Sequence, residues 1–136
     1  MLLFNPSTGQ IVDRLSILLL KLDAAANRGS DTYNLEGEIR ECRATLLTRT
    51  FLLNMEESRE YYSLCDKLTV QNKRQWDYED AIRRAINHLS NPPTYDELMS
   101  LGVLAKGTHL GNEERSKLVA AIDVLLKEAP EQKIYQ

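Results

Sequence analysis

Residues 54–91 read NMEESREYYSLCDKLTVQNKRQWDYEDAIRRAINHLSN, and this stretch decides the fold. It contains neither Gly nor Pro, and Leu64, Leu68, Ile82 and Ile86 recur on one face at helical spacing. Asn54 and Glu57 stand at the separation of a capping box, in which side chain and backbone satisfy each other's orphan groups. Pro92-Pro93 cannot continue a helical ladder, so the spacing predicts one long helix that ends near Leu89.

The same period extends in both directions. Ser7-Thr8-Gly9-Gln10 has the form of a capping box and opens a helix with Ile11, Leu15, Leu18 and Leu22 on one face, stopping near Arg28-Gly29. A second helix follows Ser30-Asp31 and carries Leu35, Ile39, Cys42, Leu46 and Phe51. Thr94-Tyr95-Asp96-Glu97 introduces a short helix closed by Gly102. After a loop at Gly107 to Gly111, a last helix runs from about Asn112 to Glu128, before Pro130. No sustained apolar/polar alternation suggests a strand. The expected fold is all-α, an antiparallel bundle of four to five helices with one long central helix, in a single domain spanning 1–136.

Composition agrees. With 136 residues, 43% hydrophobic and 27% charged, six Gly and four Pro, the chain suits one folded domain. A net charge of −3 argues against a nucleic-acid or membrane-surface partner, both of which favour a basic excess. Cys42 and Cys65 form no Cys-x-x-Cys, and only His88 and His109 offer imidazoles, so neither disulfides nor a zinc site is expected. The apolar run Leu15 to Leu22 is broken by Ser16 and Lys21 and falls short of the ~20 residues that span a bilayer. It also lacks the basic leader and cleavage site of a signal peptide, which points to the cytoplasm, or the host cytoplasm for a viral protein.

Three helices carry polar residues beside their apolar faces. On the first, Gln10, Asp13, Arg14 and Lys21 share a stripe flanked by Ile17 and Leu20, facing either a cleft or solvent. On the long helix, Asn72, Trp76, Glu79 and Arg83 form one line, with Gln75 and Asp80 at its border. Trp76 is either a core anchor or a stacking wall for a ligand, and Glu79 with Arg83 is either an ordinary i,i+4 pair or part of a site. Arg115 sits in the first turn of the expected last helix, where a cation opposes the helix dipole and calls for an anionic partner, either Asp13, Glu79 or a bound anion, or, for an exposed side chain, Glu113 or Glu114 beside it.

These motifs resemble a family of short all-helical proteins of unknown function found in bacteria, sometimes near genes for surface-polysaccharide glycosyltransferases, and in bacteriophages. The resemblance rests on Ser7-x-Gly9-Gln10-Ile11-Val12-Asp13-Arg14-Leu15-Ser16-Ile17-Leu18 with Lys21, then Asn72-x-x-Gln75-Trp76-Asp77-Tyr78-Glu79-Asp80-x-Ile82-Arg83, and Asn112-x-x-Arg115. The ending Glu131-x-Lys133-x-Tyr135 is a looser match. Gln10 stands where the family pattern has Glu, Arg14 where it has Lys, and Gln75 where it has an aliphatic residue. The resemblance implies a shared polar centre on a helical scaffold.

Three functions follow. The first is a binding protein for a small anionic, phosphorylated or nucleotide-like ligand, held by Arg14, Lys21, Asn72, Trp76, Glu79, Arg83 and Arg115 and needing no cofactor. In a phage, such a protein would sequester a host metabolite or nucleotide signal. The second is a Mg²⁺-dependent hydrolase of a phosphorylated substrate, with Asp13, Glu79 and Asp80 as weak metal candidates. The third is a protein–protein interaction module. Self-association into a homo-oligomer is also expected.

Overall fold

A computed structural model describes residues 5–128; the ending at Glu131, Lys133 and Tyr135 and the stop at Pro130 lie outside them. Four helices form among the described residues: α1 (Thr8–Asn27), α2 (Tyr33–Thr50), α3 (Met55–Asn87) and α4 (Tyr95–Leu125), with no strand. Ser7/Gln10, Asn54/Glu57 and Thr94/Glu97 each form a reciprocal capping box, so α1, α3 and α4 begin where the residue types dictate. The helix α2 starts after Thr32 without a side-chain cap and ends at Thr50, which leaves Phe51 exposed just past the helix end.

Two helix ends share one closing geometry. After α1, Gly29 takes φ 71°, Ser30 N–H donates to the Ala25 carbonyl at 2.9 Å and Gly29 N–H to Ala26 at 3.0 Å. After α4, Lys127 takes φ 62°, Glu128 N–H donates to Asp123 at 2.7 Å and Lys127 N–H to Val124 at 3.0 Å. Both are left-handed C-terminal caps in which the returning chain satisfies the last carbonyls. The second uses a residue with a side chain where glycine is favoured.

In the bundle α1 packs on all three other helices, while α3 and α4 form an antiparallel hairpin. Contacts of Gly9 with Asp123 and of Asp13 with Arg115 run α1 antiparallel to α4, which sets it parallel to α3. The core lies where three helices meet: Ile11 and Val12 on α1, Tyr61 and Leu68 on α3, Leu118 and Ile122 on α4, with Leu46 of α2 joining them. Leu68 and Ile122 are fully buried.

The structure corrects the expected break near residue 102. The segment from Tyr95 to Leu125 is one uninterrupted helix, so α3 and α4 are both long rather than one central helix being long. A glycine inside a helix costs only about 1 kcal/mol, which packing readily repays. At Gly107 the Tyr78 ring occupies the place of an absent Cβ, and at Gly111 the Gln75 and Gln71 amides do. These glycines admit α3 to the surface of α4; they do not break it.

Candidate functional site

The most connected polar group joins α1, α3 and α4. Arg115 donates from Nε to Asp13 Oδ1 at 2.7 Å and from Nη2 to Asp13 Oδ2 at 2.6 Å. Asn72 Nδ2 donates to the same Oδ1 at 2.9 Å. This two-pronged guanidinium–carboxylate contact is the strongest hydrogen-bonding arrangement two side chains offer. Its hydrogen bond with Asp13 raises the pKa of Arg115 above the usual value, against the opposing effect of burial, and the Glu79 charge adds to the rise.

Two glutamines extend the group along the α3–α4 seam. Gln71 Nε2 donates to the Gly111 carbonyl at 3.3 Å, and Gln75 Nε2 to the Thr108 carbonyl at 3.1 Å. Both are buried, as is Asn72. The oxygens Asn72 Oδ1 and Gln75 Oε1 are buried without a hydrogen-bond partner.

Of the residues expected to surround an anion, the structure brings together Asn72 and Arg115, with Asp13 already filling the Arg115 fork. Arg115 lies well inside α4, so the helix-dipole argument does not apply to it, and its partner is Asp13 rather than Glu79, Glu113 or Glu114. The other three cations make no contact with this group. Arg14 is exposed and pairs with Glu38 of α2 at 2.6 Å. Lys21 is exposed on α1. Arg83 is 69% exposed and approaches Asp80 at 3.6 Å, a carboxylate that Arg84 also approaches at 3.4 Å. Trp76 is half-buried and Glu79 exposed. Among the described residues no group of three or more His, Cys, Asp or Glu side chains is placed to hold a metal ion, so Asp13, Glu79 and Asp80 do not assemble one.

A second polar group escaped the sequence reading. The first turn of α1 is closed by carboxylates from the end of α4: Thr8 N–H and Oγ1 donate to Glu128 at 2.8 and 2.7 Å, and Gly9 N–H donates to Asp123 Oδ1 at 2.7 Å. Arg49 of α2 spans the same place, donating to the Pro6 carbonyl at 2.7 Å and Asn5 Oδ1 at 2.8 Å and lying 3.5 Å from Glu128. Negative charge at a helix N-terminus is favourable, and here the chain supplies its own. Burial pushes the Asp123 carboxyl up from its usual range; the Gly9 amide and Ser7 hydroxyl pull it back, while the Glu128 charge adds to the rise. The available signal was an aspartate set between Val119, Ile122 and Leu126 at helical spacing.

Beyond the Asp13–Asn72–Arg115 group the α3–α4 hairpin leaves the bundle. From Trp76 to Leu110 no residue is buried. Ile86, Leu98, Met99, Val103 and Leu110 are each more than half exposed. Met99, Val103 and Leu110 recur along one line of α4. No helix of the described residues is long and apolar enough to cross a membrane. Comparison of the chain with protein-family models, curated proteins and solved structures returned no match to any of the three.

Proposed function

We propose that the chain is a helical interaction module that assembles with a second copy of itself through the α3–α4 arm. The observation that carries this reading is the absence of any buried residue from Trp76 to Leu110, where two helices of the hairpin expose Ile86, Leu98, Met99, Val103 and Leu110. Two helices alone bury little apolar surface, and exposed apolar side chains of this kind gain stability only against another element.

A second copy is the economical occupant, because arms paired about a two-fold axis bury the same apolar line on both partners and build a four-helix bundle. Asp13, Asn72 and Arg115 then act as the lock that ties the arm to its base. Sedimentation equilibrium at micromolar to hundred-micromolar concentration tests the proposal. A dimer for the native chain and a folded monomer for Val103→Glu/Leu110→Glu are expected; a native chain that remains monomeric throughout that range overturns it.

A small anionic, phosphorylated or nucleotide-like ligand is the second reading. It draws on the exposed Lys21 and Arg83, with the half-buried Trp76 offering a stacking surface. A thermal-shift panel of nucleotides and sugar phosphates tests it, and no stabilisation at millimolar ligand counts against it.

A further inference from the structure

We infer that the groove between α1, α2 and α3 is a binding site for a small amphipathic carboxylic acid. The groove exists because α2 packs along α1 and makes no extended contact with α3, leaving a slot of about 290 Å³. Leu15 and Leu46 line it from α1 and α2, and Tyr61 and Cys65 from α3. Three features set its specificity.

The first is charge. Arg43 is the one charged residue lining the groove, which contains no Asp or Glu. Its neighbours three and four residues away on α2 are Ile39, Arg40, Leu46 and Leu47, so its own helix supplies no carboxylate. Among the described residues it has no ion-pair or hydrogen-bond partner. A guanidinium fork at an apolar slot matches a carboxylate in geometry as well as in sign.

The second is the floor, where Ser16 is 5% exposed and its hydroxyl has no hydrogen-bond partner. A buried polar atom left unmatched is costly, and a small shift of the groove wall that opens the hydroxyl to a ligand oxygen would relieve that cost. The third is size. The slot lies at the small end of the ~300–1,000 Å³ range of ligand pockets, which suits a single chain or ring with one acid group rather than a nucleotide. This site is independent of the arm, which lies at the other end of α3.

Calorimetric titration with decanoate, kept below its micelle concentration, and with decanol as the uncharged control tests the inference. Saturable one-site binding of decanoate is expected, with decanol weaker by about tenfold, the usual worth of a charged hydrogen bond. Arg43→Gln should bring decanoate down to the decanol level. Leu19→Trp, a partly exposed residue at the groove, should fill the slot and abolish binding while the melting temperature is retained. Absence of saturable heat with the folded native chain overturns the inference, as does an Arg43→Gln variant that binds decanoate as tightly as the native chain.

Discussion

Asp13 and Arg115, 102 residues apart in the chain, meet through both prongs of the guanidinium at 2.7 and 2.6 Å, and Asn72 adds a third hydrogen bond to the same carboxylate. One residue of α1 thereby holds both members of the α3–α4 hairpin. The pair is a cross-link of helices rather than a vacant anion fork, because each acceptor position on Asp13 that faces the seam already has a donor.

Removing Asp13 leaves Arg115 part-buried without its counter-charge. Breaking a fully buried pair costs about 3–5 kcal/mol, and this one retains some solvent contact, so Asp13→Ala is expected to lose about 2 kcal/mol in urea unfolding. Arg83→Ala removes an exposed contact at 3.6 Å and should change stability by less than about 0.5 kcal/mol. Equal losses in the two variants would contradict the distinction.

Glycine positions along the seam separate tertiary from local effects. Adding a Cβ at Gly9 meets the Val119 carbonyl and the Asp123 carboxylate, and at Gly111 it meets the Gln75 and Gln71 amides, whereas nothing lies near Gly102. Gly102→Ala should therefore raise stability by about 0.5–1 kcal/mol through helix propensity alone. Gly9→Ala and Gly111→Ala should lower it, the first more severely because it meets backbone. Thermal melts of the three variants check the order.

The cap after α4 places Lys127 at φ 62°, in the left-handed region that disfavours a side chain. Lys127→Gly relieves that cost of about 1 kcal/mol and gives back part of it as unfolded-state entropy. A small rise in the denaturation midpoint is expected, with the slope unchanged. A fall would mean that the lysine side chain contributes more than its backbone costs.

Acid titration should reveal Asp123. With its carboxyl raised above 3.8 chiefly by burial, the folded chain holds more protons than the unfolded chain between that ordinary value and the raised one. Stability contributed by this group therefore falls as pH rises through that window and stays level above it. Asp123→Asn can still accept from Gly9 N–H, and it should lose that segment of the pH profile. Parallel profiles for the two chains, measured by urea unfolding from pH 3.5 to 7, would rule out the assignment.

Much of the fold is legible locally. Ser7/Gln10, Asn54/Glu57 and Thr94/Glu97 mark helix starts because a capping box involves residues three apart, and the proline pair at 92 and 93 marks an end for the same local reason. Gly102, Gly107 and Gly111 mislead for the opposite reason. Their local preference is a turn, but Tyr78, Gln71 and Gln75 of a distant segment use the space that two of them leave. Asp123 and Glu128 were missed because their donors, Thr8 and Gly9, lie at the other end of the described chain.

The amino-acid order by itself determined an all-helical chain, where three of its helices begin, and which residues carry charge beside an apolar face. Those properties depend on neighbours within a turn or two, whose hydrogen bonds and spacing act before any packing. Tertiary structure decided that α4 runs unbroken, that Arg115 takes Asp13 as its partner and that Arg14 and Arg83 turn to other carboxylates. Those outcomes depend on which surfaces close-pack, and the free energy of burying Leu68 and Ile122 where α1, α3 and α4 meet sets that arrangement for the chain as a whole.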